Sequence, residues 1–161
     1  QERSIDIHYD RQAVSWVVAD ATALREVLNN LLDNAVKYTP VGGYIEVRSG
    51  IVMSNADDDQ QADDWQAIVI ADTGPGIPLG DQRHLFERHF RGVQADGDIP
   101  GTGLGLAIAR ELIQQMNGRL AVFSPAVESC LLSRQYLSQH ADASPGTAVV
   151  IQLPIAKPAE D

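Results

Sequence analysis

The stretch TALREVLNNLLDNAVKY, residues 22–38, decides how this chain folds. Its apolar side chains recur at the spacing i, i+3, i+4, i+7, which is typical of one buried face of an α-helix. They are Leu24, Val27, Leu28, Leu31, Leu32 and Ala35. Asp20 and Thr22 are the candidate N-caps, and Thr39-Pro40 ends the helix. The sequence therefore predicts a helix of about 22–38 packed against a core.

A second, polar stripe runs along the same helix and consists of Asn30, Asn34, Lys37 and Tyr38. At about 100° per residue it lies roughly a quarter turn from the apolar stripe, where a cleft can open. Asparagine disfavours helix interiors, so two of them one turn apart suggest a function. Amide oxygens suit Mg²⁺, Lys37 suits a phosphate and Tyr38 suits a base. Taken alone, the stripe also fits a surface helix with two exposed amides.

Apolar residues that alternate with polar ones predict strands around this helix. The expected strands contain Ile5, Ile7 and Tyr9; Val14, Trp16 and Val18; Ile45, Val47, Ser49 and Ile51; Ile68, Ile70 and Asp72; and the runs 120–123 and 147–153. Further helices are expected at about 83–90 and 104–116. This mixture predicts a sheet with helices packed on one face.

Asp72-Thr73-Gly74-Pro75-Gly76-Ile77-Pro78 leaves one of these strands. These are turn residues, and an ordinary turn is one interpretation. However, Asp72 faces the same way as Ile68 and Ile70, and a half-buried carboxylate needs a hydrogen-bond donor. The exocyclic amine of adenine is such a donor, and Gly76 would allow the backbone to approach the ring.

Gly101-Thr102-Gly103-Leu104-Gly105-Leu106 leads into the second long helix. Free N–H groups and the helix dipole make such an N-terminus an anion site. The spacing matches neither a Rossmann fingerprint nor a P-loop, and a flexible hinge is the alternative. Upstream, Arg88 and Arg91 are spaced to reach phosphate oxygens, although Glu87 and Arg91 also fit an ion pair on a solvated helix.

Composition limits the possible partners. The 161 residues carry a net charge of −10, which argues against nucleic acid. No stretch approaches the length of apolar residues needed to span a bilayer, and we expect no direct membrane contact by this domain. The single Cys130 fits a reducing, cytoplasmic setting. Five aspartates between residues 57 and 64 predict a solvated loop, with an electrostatic docking surface as the alternative.

Together, these motifs resemble the ATP-binding catalytic domain of sensor histidine kinases, in the GHKL (Bergerat-fold) superfamily. Residues 30–39 resemble the N box, 72–77 the G1 box, 86–91 the F box and 101–106 the G2 box. Gly146-Thr147 resembles a last, weaker glycine box. The order holds over nearly the whole chain, so a single domain over 1–161 is expected.

The resemblance implies an α+β fold, a two-layer α/β sandwich with a mixed sheet of about five strands backed by about three helices. It implies ATP and Mg²⁺ as ligands, between the N-box helix and a lid over about 78–101. Asn34 would ligate Mg²⁺, Asn30 would contact the phosphates or the metal shell, and Lys37 would bind phosphate. Asp72 would bind the adenine amine. Arg88 or Arg91 would steady the γ-phosphate. The nucleotide would further contact Tyr38, Gly74, Gly76, Ile77, Gly101, Thr102, Gly103, Leu104, Gly105, Leu106 and Thr147.

The implied reaction transfers the γ-phosphoryl group of ATP to a histidine on a separate dimerisation and phosphoacceptor domain, which then serves a response regulator receiver domain. None of His8, His84, His89 and His140 stands in an acceptor-like motif, so we expect the catalytic domain alone, from a parent kinase that is either free in the cytoplasm or membrane-anchored. Two alternatives stay open: an ATP-hydrolysing member of the superfamily and a non-catalytic docking module.

Three features depart from the family pattern. His89 stands where the F box usually has an aromatic residue. The segments at about 53–65 and 125–144 both exceed the family minimum. The second is apolar enough to add a short helix, and it is either a surface insertion or a partner-docking element.

Overall fold

The chain folds as a mixed sheet covered on one face by helices. The computed structural model describes residues 4–52, 64–91, 103–126 and 146–156. Within these ranges there are five strands: β1 Asp6–Arg11, β2 Tyr44–Val52, β3 Trp65–Asp72, β4 Arg119–Phe123 and β5 Thr147–Pro154. The helices there are α1 Ala21–Tyr38, α2 Leu79–Gln82 and α3 Gly105–Gln115. The expected α+β architecture, with about five strands and three helices, is confirmed.

The strands are ordered β1-β2-β3-β5-β4. β1 pairs with β2 in parallel, with α1 in the connection, because parallel neighbours need a long crossover. The other pairs are antiparallel, and β3 and β5 are in a register that places Asp72 opposite Thr147 and Ile70 opposite Val149. This register brings the last residue of β3 and the first residue of β5 together at one end of the sheet.

The main core lies between the sheet and the two long helices. Its fully buried members are Val27, Leu31, Ala35, Ile45, Ile70, Ala109, Ile113, Met116, Ile151 and Leu153. The α1 residues among them belong to the predicted apolar stripe, and Leu24, Leu28 and Leu32 pack beside them. Side chains of alternate residues point to the opposite face of the sheet, where Ala71, Ala126 and Ala148 form a small second cluster.

Both ends of α1 are capped by side chains that the sequence supplies. The Asp20 carboxylate accepts a hydrogen bond from the Ala23 N–H at 2.8 Å, so of the two candidate caps Asp20 is the one used. At the other end the Thr39 hydroxyl donates to the Ala35 carbonyl at 2.6 Å. Pro40 then prevents continuation of the helix.

Two predicted elements are wrong. The alternating residues Val14, Trp16 and Val18 do not form a strand; only Val17 makes an isolated bridge, to Ile155. Trp16 is 86% exposed. The alternation is real, but the segment crosses the end of the sheet and Val17, not its neighbours, packs on the core.

The helix predicted at about 83–90 is a series of turns that follow the short helix α2. The chain there uses i to i+3 bonds, such as Glu87 N–H to the His84 carbonyl at 2.9 Å, and His89 has a left-handed φ of 64°. The Glu87 carboxylate lies 2.7 Å from His84 Nδ1 within these turns. The spacing of Phe86 and Phe90 reflects tertiary contacts, because the Phe86 ring lies 4.6 Å from the guanidinium of Arg110 on α3.

Several expectations concern residues outside the described ranges. They include the acidic loop from residue 53 to 63, most of the 125–144 insertion, and the part of the expected lid from 92 to 101. Among the described residues, no helix is both long and apolar enough to cross a membrane.

The end of α3 offers a test of the packing. Asn117 has a left-handed φ of 56°, and the Gly118 N–H binds the Ile113 carbonyl at 2.9 Å, as in a Schellman motif. A Cβ at Gly118 would lie 2.8 Å from the Gln152 carbonyl oxygen and 2.9 Å from Leu153 Cδ2. We expect Gly118→Ala to lower the free energy of unfolding by about 1–3 kcal/mol in urea titrations.

Gly80→Ala is the matched control, since a Cβ at Gly80 on α2 meets nothing within 4 Å. Its stability should stay within about 0.5 kcal/mol of the wild type. Equal midpoints for Gly118→Ala and the wild type would contradict the close approach of α3 to β5.

Candidate functional site

A cavity of about 270 Å³ opens between α1, the end of the sheet where β3 stops and β5 begins, and the start of α3. Its volume is near the lower end of the range for small-molecule pockets. Its walls come from α1, from β3 and the loop after it, from the turns before residue 92, from α3 and from β4 and β5. The predicted site residues on its walls are Asn30, Asn34, Lys37, Tyr38, Asp72, Gly76, Ile77, Arg91, Gly103, Gly105, Leu106 and Thr147.

The polar stripe of α1 forms one wall. Asn30, Asn34, Lys37 and Tyr38 are all partly buried and all line the cavity, and the core residues Leu31 and Ala35 beside them reach its wall as well. The apolar stripe of α1 therefore packs in the core, and the neighbouring polar stripe lines the cavity. The arrangement places two amides, an ammonium group and a phenol ring in a row along about two turns of α1.

Asp72 also lines the cavity, at the last position of β3, and is only 8% exposed. Its Oδ1 accepts a hydrogen bond from the Gly74 N–H at 2.7 Å, and the backbone of Thr147 also donates to the carboxylate. Burial raises the pKa of Asp72 to about 6, against the lowering effect of these two donors. Burial therefore disfavours the charged form of Asp72 more than the two backbone hydrogen bonds favour it.

The loop after Asp72 is shaped by glycines. Gly76 has a φ of 75°, which favours glycine, and it lines the cavity beside Ile77. A Cβ at Gly74 would lie 2.7 Å from Asp72 Oδ1 and 2.9 Å from the Tyr38 carbonyl oxygen. Gly74 is not itself on the wall; its missing side chain lets the end of α1 approach Asp72.

The N-terminus of α3 faces the two asparagines. A Cβ built on Gly105 would lie 3.9 Å from Asn30 Cβ and 3.9 Å from Asn34 Nδ2. The N-cap residue Leu104 makes no side-chain capping hydrogen bond, so within the described residues the first N–H groups of α3 suit a ligand. With the positive end of the helix dipole, this end of the cavity suits an anion.

The two arginines of the F-box region are placed differently. Arg91 lies on the cavity wall. Arg88 is not among the lining residues, and its guanidinium binds Glu111 of α3 at 3.0 Å. Leu104 is also absent from the lining, and Gly101 and Thr102 lie outside the described residues.

The sequence analysis missed the apolar floor and part of the rim of the cavity. The missed residues include Ile70, Val122, Val149, Leu85, Phe90 and Asp81. Val149 belongs to the floor because the β3–β5 register sets it opposite Ile70. No local motif marks such residues: Val122 and Val149 follow from the strand pairing, and Leu85, Phe90 and Asp81 from the folded path of the chain after β3.

The side chains around the cavity fit Mg²⁺ only if a bound phosphate and water supply most of its ligands. In the part of the chain that is described, no three residues among His, Cys, Asp and Glu cluster to hold a metal ion. Mg²⁺ commonly takes one or two protein ligands and completes its shell with phosphate oxygens and water. An Asn34 amide oxygen beside an anion site is compatible with that pattern.

The comparison with known proteins begins with the family. The histidine kinase-, DNA gyrase B- and HSP90-like ATPase family matches residues 19–157. The sensor histidine kinase Hik2 of Synechocystis sp. is 52% identical over 125 residues, which cover 77% of this chain and 28% of that protein. The signal transduction histidine-protein kinase/phosphatase MprB of Mycobacterium leprae is 34% identical over 157 residues, covering 96% of this chain and 25% of MprB. The chain thus spans about a quarter of the length of these relatives.

Solved structures agree. The structure of a mycobacterial sensor histidine kinase, MprB, superposes with a TM-score of 0.71 at 32% identity, covering 96% of this chain and 86% of that one. The catalytic domain of the histidine kinase ThkA gives a TM-score of 0.64 at 23% identity, covering 95% and 82%, which shows the shared fold. The chain therefore belongs to the histidine kinase-, DNA gyrase B- and HSP90-like ATPase family, on its sensor histidine kinase branch.

Proposed function

We propose that this domain binds ATP with Mg²⁺ and donates the γ-phosphoryl group to a histidine on a separate dimerisation and phosphoacceptor domain. One observation carries the proposal: Asp72 and Asn34 lie on the walls of the same cavity, and the uncapped start of α3 lies beside Asn34. A desolvated acceptor for a purine amine and an anion site for phosphates are thus within reach of one ligand.

The proposed nucleotide runs from Asp72 to the start of α3. The Asp72 carboxylate accepts from the adenine amine, and the Gly76 backbone lies against the ring. Tyr38 packs near the nucleotide, and Lys37 and Asn30 contact phosphates. Asn34 contributes an amide oxygen to Mg²⁺, which, when bound, supplies positive charge between the phosphate oxygens.

Phosphoryl transfer requires little covalent chemistry from the protein, so positioning and charge neutralisation dominate. Arg91 and the N–H groups of α3 would stabilise charge on the γ-phosphoryl oxygens. We assign the γ-phosphate to Arg91 in preference to Arg88, because Arg91 is on the cavity wall and Arg88 binds Glu111. The segment at about 78–101 would act as the lid that excludes water.

Asn30 separates the kinase from the ATPase alternative. ATP-hydrolysing members of the superfamily carry a glutamate one turn before the magnesium asparagine, as the base that activates water. Here that position is Asn30, whose amide cannot accept the proton. The comparisons favour the same side, since the matched relatives named above are sensor histidine kinases.

The partners follow from this reaction. We propose the phosphoacceptor domain of the same kinase as the immediate partner and a response regulator receiver domain downstream. We propose a cytoplasmic setting in which the single domain 1–161 contacts neither nucleic acid nor the membrane, consistent with its charge of −10.

Asn34→Ala tests the metal end of the cavity. We expect it to weaken ATP binding in the presence of Mg²⁺ by at least about tenfold in calorimetric titrations, because an amide ligand is lost. Binding in EDTA should change little. Asn29→Ala is the matched control, since Asn29 is exposed on the same helix and does not line the cavity. Equal loss in both variants would argue against a metal role for Asn34.

Asp72→Asn tests the purine end and has a distinctive effect on stability. The folded pKa of about 6 lies above the ordinary 3.8, so the folded protein binds this proton more tightly than the unfolded chain. The contribution of Asp72 to the free energy of unfolding should therefore fall as pH rises from about 4 to about 6 and stay lower above it, a dependence that Asp72→Asn should lack. Removing the charge should stabilise the unliganded protein above pH 6 by up to about 3 kcal/mol in urea titrations.

Asp72→Asn should also bind ATP more weakly than the wild type, because a charged acceptor is lost. Asp72→Ala should bind ATP at least about tenfold more weakly than the wild type. Adenosine affinity of the wild type should drop as pH falls below about 6, since adenosine has no phosphates that titrate there, and Asp72→Asn should lack this dependence. An Asp72→Ala protein that is folded and keeps full ATP affinity would disprove the assignment.

Radiolabelled ATP tests the transfer step. The chain alone should retain no label on histidine, whereas an added phosphoacceptor domain from the Synechocystis relative should become labelled on its histidine. Asn34→Ala should abolish that labelling. Rapid steady release of phosphate by the chain alone, lost in Asn34→Ala but insensitive to every histidine substitution, would favour the ATPase alternative.

A further inference from the structure

A hydrogen-bond network behind the cavity wall centres on Ser124, the residue after β4. Its Oγ accepts from the Ile77 N–H at 2.8 Å and donates to the Gly146 carbonyl at 2.9 Å. Ser124 is not among the residues that line the cavity, whereas Ile77 is. The hydroxyl therefore joins the loop after β3 to the start of β5 without facing a ligand itself.

Gln82 on α2 strengthens this junction. Its Nε2 donates to the Ile77 carbonyl at 2.9 Å and to the Ser124 carbonyl at 3.0 Å. The backbone of Ile77 is thus held at both its N–H and its carbonyl by side chains that lie outside the cavity. Two polar groups of the loop depend on these contacts for their hydrogen bonds.

The network continues to Asp72. The Gly146 N–H donates to the Gly74 carbonyl at 3.0 Å, and the Gly74 N–H donates to Asp72 Oδ1 at 2.7 Å. Gly146 has a φ of 67°, and any Cβ there would collide with the Asp72 carbonyl oxygen. Gly146 therefore has little freedom to move, and the bond from Ser124 fixes Ile77 relative to it.

We propose that Ser124 is a positioning residue for the purine end of the cavity. Its hydroxyl sets the separation between the loop 74–78 and β5. That separation in turn sets the orientation of the Asp72 carboxylate and of the backbone at Gly76. This inference rests on the proposed binding of ATP. Without the hydroxyl, the Ile77 N–H and the Gly146 carbonyl lose a shared partner and the loop shifts to find water, while α1 and the start of α3 are not affected.

The experiment separates the two ends of the cavity with two partial ligands. Affinities for ATP, adenosine and magnesium tripolyphosphate are measured by calorimetry on the wild type, Ser124→Ala and Ser124→Thr, and urea titrations of each give the folded fraction. For Ser124→Ala we expect about tenfold weaker binding of ATP and adenosine, the effect of one buried hydrogen bond, and unchanged tripolyphosphate binding. Ser124→Thr keeps the hydroxyl and should restore purine affinity to within about threefold.

Ser49→Ala is the matched control, because Ser49 lies on β2 and its hydroxyl contacts only the Tyr9 hydroxyl, at 3.4 Å, among the hydrogen bonds of the described residues. Gln82→Met gives a second reading if Ser124→Ala does not fold, and it should weaken adenosine binding in the same selective way. A wild type that binds neither ATP nor adenosine would overturn the proposed function. If the wild type binds both ligands, two results would overturn the role of Ser124 alone. In the first, Ser124→Ala or Gln82→Met binds ATP and adenosine as well as the wild type does. In the second, the variant loses affinity for tripolyphosphate as much as for adenosine.

Discussion

The burial of one carboxylate, that of Asp72, is the constraint on which the site depends. Strand alternation sends it toward the helices together with Ile70, into surroundings that favour its neutral form. Two backbone donors offset only part of that cost. A fold selected for stability alone would place an apolar residue there, and this cost is why we propose a ligand that needs the charge.

α1 meets two demands at once. Its apolar stripe fills the core against Ile45 and Ile151, and its polar stripe forms a wall of the cavity. Because the stripes share a rigid cylinder, any change in how Leu31 packs also moves Asn30 and Asn34. The groups that we propose to bind the metal ion and the phosphates are thus positioned by the same contacts that hold the domain together.

α3 connects the cavity to the segment before it. Its buried Ala109 and Ile113 fix it on the sheet, while its first turn faces Asn34. On its outer side, Arg110 stacks on Phe86 and Glu111 binds Arg88. The His89 N–H donates a backbone hydrogen bond to the Gly103 carbonyl at 3.0 Å, which joins the turns after α2 to the start of α3. Arg91 and Gly103 therefore stand together at the cavity although eleven residues separate them in the sequence.

The sequence by itself determined the two stripes of α1 and the inward aim of Asp72, because the periods 3.6 and 2 are local properties of helix and strand. Tertiary structure decided the apolar floor at Val149, the turns where a helix was expected around Phe86, and the contacts of Ser124. These depend on which strands pair, in which register, and on contacts between residues far apart in the chain. No local pattern encodes such distances, so only the folded chain brings Gly105 to Asn34 and Ser124 to Ile77.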